Sequence, residues 1–186
     1  MIQIRIHGRG GQGVVTAAEL IALAAFSQNW QAQAFPVFGV ERTGAPIQSF
    51  ARLSHEKILT KAQIYYPDII IVQDPTLLTA KDTLKGINKK TILVVNTEKS
   101  EEEVYRLIKE KIEINNIFCA PATDIAIKTI GKNIVNTVSL GIFAKSTKLI
   151  NLNSLIKAIK HKFADKDKRV VEKNCKAVKL AYNSCR

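Results

Sequence analysis

Ile6-His7-Gly8-Arg9-Gly10-Gly11-Gln12-Gly13-Val14-Val15-Thr16 is the stretch whose reading decides the fold of this chain. Ahead of it, Ile2-Gln3-Ile4-Arg5-Ile6 alternates apolar and polar residues as a strand does. Behind it, the alanine-rich run from Ala17 to Ala25 reads as a helix. A strand, a glycine turn and a helix in that order present backbone N–H groups at a helix N-terminus, where anions bind. Gly8, Gly10 and Gly13 fit the G-x-G-x-x-G spacing of dinucleotide folds. Gly8, Arg9, Gly10, Gly11, Gln12 and Gly13 are therefore candidates for seating a phosphate or a coenzyme. The same residues also suit a tight turn that packs helix on strand, or a contact with another subunit.

Two familiar nucleotide sites are not supported by this start. The second strand, about Trp30 to Phe35, ends in Ala34-Phe35-Pro36 with no carboxylate to hold a ribose. No Gly-Lys-Ser/Thr comes after the glycines, so the loop is not of the nucleoside-triphosphatase kind.

At 186 residues the chain is expected to form one domain with a sizeable core. Its 46% apolar and 24% charged residues are ordinary for a globular protein. No signal sequence and no membrane-length apolar run is read from it, so the cytoplasm is the expected address. Cys119, Cys175 and Cys185 are scattered without C-x-x-C spacing, which argues against a disulfide framework or a cluster built by this chain alone. His7, His55 and His161 are equally dispersed, and no metal site is expected. Each is read as a surface or loop histidine, with His7 close enough to the glycine loop to touch a ligand.

The net charge of +12 is unevenly spread. Residues 1–80 hold six Lys/Arg against five Asp/Glu, and residues 81–186 hold 22 against 11. Such a basic half suits nucleic acid, an acidic partner or a phosphorylated coenzyme. The lysines fall at helical spacing without interleaved aromatics, so a solvated surface is the plainer reading and nucleic acid is not expected.

Further along, Phe35-Pro36-Val37-Phe38-Gly39-Val40-Glu41-Arg42-Thr43-Gly44-Ala45-Pro46 cannot form a regular helix or central strand. It reads as a long shaped loop, with Phe38, Gly39, Glu41, Arg42 and Gly44 as candidates for a subunit contact or an active-site edge. Ile47 to Leu53 alternates as a strand, while Ile69-Ile70-Ile71-Val72 and Ile92-Leu93-Val94-Val95 are continuous apolar runs, as in strands covered on both faces. The strands end in Asp74 and Asn96, residues that either line a crevice at the carboxyl edge of the sheet or cap the adjoining turns. Glu101 to Lys111 reads as a helix and Asn116 to Cys119 as a strand. Thr123 or Asp124 is the expected cap of the next helix, and the small residues from Asn133 to Gly141 suit a closely packed one. Helices over Ser154–Phe163 and about Lys166–Asn183 complete the chain.

The segments Ile6 to Glu19 and Phe35 to Pro46 together resemble the gamma subunit of pyruvate:ferredoxin oxidoreductase, of the 2-oxoacid:ferredoxin oxidoreductase family. Asp74-Pro75 and Asn133 to Gly141 match weaker features of it, so the resemblance runs from the first strand to at least Gly141. It implies an α/β fold, a three-layer α/β/α arrangement with a mostly parallel, mixed sheet. It also implies one subunit of an enzyme that decarboxylates a 2-oxoacid oxidatively, makes an acyl-CoA and reduces ferredoxin. Thiamine diphosphate, Mg2+ and the 4Fe–4S clusters would then sit on alpha, beta and delta partners, with coenzyme A as a substrate and no catalytic residue on this chain. The proline-flanked loop resembles that of the pyruvate and branched-chain ketoacid group, with pyruvate the first choice. An independent nucleotide-binding or regulatory module is the competing reading.

Overall fold

The computed structural model of the chain describes residues 1–37, 43–109 and 111–185. A six-stranded sheet in the order β2-β3-β1-β4-β5-β6 forms its middle. The strands are β1 (Ile2–Arg9), β2 (Gln31–Pro36), β3 (Pro46–Ser54), β4 (Ile69–Val72), β5 (Ile92–Asn96) and β6 (Ile117–Ala120). The run β1-β4-β5-β6 is parallel, and β3 lies antiparallel between β1 and β2. The mixed sheet expected from the resemblance is present, but β1 and β2 are not neighbours. Alternation predicts which face of a strand is buried; it carries no information about the neighbouring strand.

β1 extends through the first glycines rather than stopping at Ile6, because it pairs with β3 from Ile2↔Leu53 to Arg9↔Pro46. Its alternation sorts two unlike faces. Ile4 and Ile6 enter the larger core, with Leu20, Ile21, Ala51 and Phe143. Over that face lie α1 (Val14–Phe26), α3 (Ala122–Ile130), α4 (Asn136–Thr147), α5 (Leu152–Lys162) and α6 (Lys168–Ser184). α4 is buried from Asn136 to Ala144. At Gly141 a side chain would collide with the Val178 carbonyl and Ala181, so the close packing expected of this segment is its contact with α6.

The opposite face is covered more thinly. A 3-10 turn, Pro75–Thr79, and α2 (Glu101–Leu107) enclose Ile70, Val72, Leu93, Val95 and Val104. α2 begins with a capping box between Ser100 and Glu103. It stops short of Lys111 because Lys109 turns left-handed, which brings both Ile108 and Ile112 into the core.

Under β1 and β3 this face is polar and still buried. Arg5, His7 and Arg52 are 4%, 3% and 1% exposed. The Arg5 guanidinium donates to the carbonyls of Ile64, Thr83 and Lys85 and, through Nε, to His7 Nε2. Arg52 donates to Gln33 and the Ala62 carbonyl and lies 5.0 Å over the Phe35 ring. His7 is therefore an interior residue and not the surface or loop histidine expected. No helix among the described residues is long and apolar enough to cross a membrane.

Burial first, and then the Arg5 charge, pull the His7 pKa down to about 3. The folded chain keeps His7 neutral while the unfolded chain protonates it near 6.5, so stability is intact above 6.5 and declines as pH falls toward 3. Urea titrations should show a slope approaching about 1.4 kcal/mol per pH unit from this group between pH 6 and 4. His7→Gln should remove that component of the slope, and an unchanged slope would mean the histidine titrates elsewhere.

Candidate functional site

The glycine loop is held from two sides. Gly10 N–H donates to the Ala45 carbonyl at 2.9 Å, and Gly44 N–H returns a bond to the Gly10 carbonyl at 3.1 Å. Val37 N–H reaches the Gln48 carbonyl. Both flanks of the proline-rich segment are thus anchored, one beside the glycine loop and one on β3. Phe38, Gly39, Glu41 and Arg42 lie outside the described residues. Gly44 is exposed with φ +83°, a left-handed value that glycine adopts without strain.

Arg9 is the tie between these pieces. Its Nε donates to Asp74 Oδ2 at 3.1 Å, Nη1 to the Gly44 carbonyl at 3.1 Å and Nη2 to Thr76 Oγ1 at 2.8 Å. Gln12 closes the loop on itself, accepting the Arg9 N–H at Oε1 and donating from Nε2 to the same Asp74 oxygen. Asp74 Oδ1 accepts the Thr76 N–H and caps the 3-10 turn. Burial alone would raise the Asp74 pKa, but the Thr76 bonds, the Gln12 bond and the Arg9 charge together hold it below the usual carboxylate value.

Gly13 ends the loop at φ +77° as the cap of α1, which has no side-chain cap. A Cβ there would run into the Asn136 amide at the start of α4. A Cβ at Gly8 would meet Val14 and the buried Gln73. Gly8 and Gly13 thus serve close packing, while Gly11 is exposed with open space around it.

Of the two strand-end residues, Asp74 caps the turn after it, whereas Asn96 braces a distant helix. Asn96 Nδ2 donates to the Gln73 carbonyl and Thr123 Oγ1, and Oδ1 accepts the Thr123 N–H. That bracing puts Thr123 inside α3, whose cap is Pro121 and not Thr123 or Asp124. Asn96, Pro75, Pro121 and Lys99 line a cleft of about 360 Å3 at the carboxyl edge of the sheet. Thr76 and Asn136 were not singled out from sequence. Asp-Pro-Thr has the form of a helix start and signals the first, whereas the second depends on a contact 123 residues away from Gly13 in the chain.

A family model described as pyruvate ferredoxin/flavodoxin oxidoreductase matches residues 3–184. This chain belongs to that family. The common gamma subunit of the pyruvate/ketoisovalerate oxidoreductases of Pyrococcus furiosus is 46% identical over 182 residues, 98% of this chain and 96% of that one. Pyruvate synthase subunit PorC of Methanocaldococcus jannaschii is 44% identical over 184 residues, with the same shares covered. The crystal structure of pyruvate oxidoreductase subunit PORC from Thermotoga maritima superposes with a TM-score of 0.84 at 34% identity, covering 100% of this chain and 97% of that one. The chain is a gamma-type subunit of this family, and its α/β fold is the family's.

Among the described residues no three His, Cys, Asp or Glu side chains converge as metal ligands. Cys175 and Cys185 are buried, and burial with Glu101 nearby pushes the half-buried Cys119 thiol up to about 12.

Asp74→Ala should lower the stability of the full chain by about 1–3 kcal/mol, since it removes a cap and leaves Arg9 and Gln12 donors unmatched. Gly13→Ala should cost about 2 kcal/mol or more through the left-handed backbone and the Asn136 clash. Gly11→Ala should cost only about 1 kcal/mol, from its φ alone. Denaturant melts of the three variants check this order.

Proposed function

We propose that this chain is the gamma subunit of a pyruvate:ferredoxin oxidoreductase, working with alpha, beta and delta chains in the cytoplasm. The assembled enzyme converts pyruvate, coenzyme A and oxidised ferredoxin to acetyl-CoA, CO2 and reduced ferredoxin. The whole-length likeness to pyruvate synthase gamma chains carries this reading. Thiamine diphosphate, Mg2+ and the 4Fe–4S clusters belong to the partners. The decarboxylation and electron transfer take place there, and this chain shapes the surroundings.

Its part is a ridge built from residues 10–13, the Gly44 flank and the 3-10 turn. Arg9 locks the three together, and its remaining N–H groups, with the exposed Gly11, are left to meet a coenzyme phosphate or a partner backbone. Phe38, Gly39, Glu41 and Arg42, carried between the two anchored flanks, would contact the neighbouring subunits. Branched-chain 2-oxoacids are the second substrate class, because relatives are named as common to pyruvate and ketoisovalerate enzymes. A gamma chain shared between two enzymes leaves the choice of 2-oxoacid to its partners.

An affinity-tagged copy expressed in its own host should bring down alpha, beta and delta chains with pyruvate-dependent, coenzyme-dependent reduction of ferredoxin. Recovery of a homogeneous chain without them would refute the assignment. In the assembled enzyme, Arg9→Ala should raise the Michaelis constant for coenzyme A several-fold and leave that for pyruvate nearly unchanged. A contact of this charge-assisted kind contributes about 1.5–3 kcal/mol. Loss of subunits with an unchanged coenzyme constant would assign the ridge to assembly alone.

A further inference from the structure

On the thinly covered face of the sheet, a cleft of about 590 Å3 opens beside β1 and β3. Arg5 and Phe50 line it from the sheet, and the connections before and after β4 line it from outside. It shares no residue with the Arg9 ridge, with the cleft at Asn96 or with the start of α1. Arg5 ties its walls together. Nη1 donates to the Ile64 carbonyl at 3.3 Å, and Nη2 to the Thr83 and Lys85 carbonyls at 3.0 and 2.6 Å. A Cβ on Gly86, at φ +78°, would overlap the Tyr65 carbonyl, so the two connections touch directly. A cleft held in shape before binding spares a ligand the cost of ordering it.

The charge in this cleft is incompletely matched. Arg5 is 4% exposed, and its partners are His7 and three carbonyls, with no carboxylate among them. Those four bonds leave one guanidinium hydrogen, on Nη1, without an acceptor among the described residues. Burial pulls the Arg5 pKa down, and the Asp82 charge opposes this only in part. A buried cation in that position gains from an anion at close range. Lys85 and Asp82 also line the cleft, and among the described residues neither enters an ion pair. Arg5 and Lys85 against Asp82 leave one positive charge, which suits a monoanion better than a phosphate dianion.

The mouth of the cleft is aromatic. Tyr65 and Tyr66 line it and are 62% and 76% exposed, unusual for rings of that size. Tyrosine faces of this kind present flat apolar surface to a ring stacked on them. The volume exceeds what an inorganic ion fills and lies in the range of organic-ligand pockets. We infer that this cleft binds an aromatic monocarboxylate, its carboxylate between Arg5 and Lys85 and its ring against Tyr65 and Tyr66.

The test titrates the full chain at fixed ionic strength with phenylacetate, its neutral counterpart phenylacetamide, and acetate, followed by ligand-observed NMR. Phenylacetate has no 2-oxo group to be decarboxylated, so its binding is separate from the reaction of the assembled enzyme. It should bind saturably and at least tenfold more tightly than either of the others, since only it offers both charge and ring. Lys85→Gln and Tyr66→Ala, both at exposed positions, should each weaken it several-fold with unchanged circular dichroism. Asp82→Asn, which removes the opposing charge, should strengthen it several-fold. Lys157→Gln, at an exposed lysine on α5, should leave it as it was. Absence of saturable binding would overturn the inference, as would equal binding of phenylacetamide or an equal loss in Lys157→Gln. So would an assembled enzyme that no longer takes up phenylacetate and sheds a partner chain on Tyr66→Ala, which would make the cleft an interface. Arg9 is not in this cleft, so the result is independent of the coenzyme reading of the ridge.

Discussion

The Asp74 carboxylate is the interaction on which the edge of this molecule depends. One oxygen accepts from Arg9 and Gln12 and the other caps the 3-10 turn, so a single side chain joins the glycine loop to the turn, and Arg9 adds the Gly44 flank. Each segment alone is a short irregular stretch with little apolar area to bury. Convergence on one ionised acceptor replaces that missing core with charge-assisted bonds. The arrangement holds only while Asp74 is ionised, and the bonds themselves keep its pKa low.

The sheet above it is asymmetric. Four long helices and α3 cover one face, while the other has α2, a 3-10 turn and a buried polar layer of Arg5, His7 and Arg52. Those guanidiniums donate to backbone carbonyls, to His7 and to Gln33, while Arg52 Nε has no hydrogen-bond partner among the described residues. Sliding this layer would break the bonds that both guanidiniums make to main-chain carbonyls at one register. It ties the segment around Ile64 to β1 and β3 through the Ile64 and Ala62 carbonyls.

Much of this was legible in the residues, for reasons that differ from element to element. The runs at Ile69–Val72 and Ile92–Val95 announced strands covered on both faces, and the glycine spacing announced the turn into α1. The place of β3 was not legible, since a strand's own alternation is silent about its neighbour. His7 looked like a loop residue because β1 was read as ending at Ile6, and only the pairing with β3 carries the strand to Arg9. At the site, Arg9 and Asp74 were visible singly, but their bond depends on the order of β1 and β4 in the sheet. Asn136 left no local signal at all. The family was legible because the two motifs occur together, which neither spacing nor composition alone establishes.

The contact at Gly141 has a consequence for how the chain is made. α4 is sheathed by α6, which follows it in the chain, and α5 reaches back to α1 through Lys162 and Glu19 at 2.7 Å. The parallel strands are complete by Ala120, well before these covers emerge. A ribosome-bound chain therefore holds a formed sheet and an apolar α4 that nothing yet shields, until α6 has emerged through Ser184. Interruption of synthesis before α6 leaves α4 bare, an aggregation-prone intermediate rather than a shortened subunit.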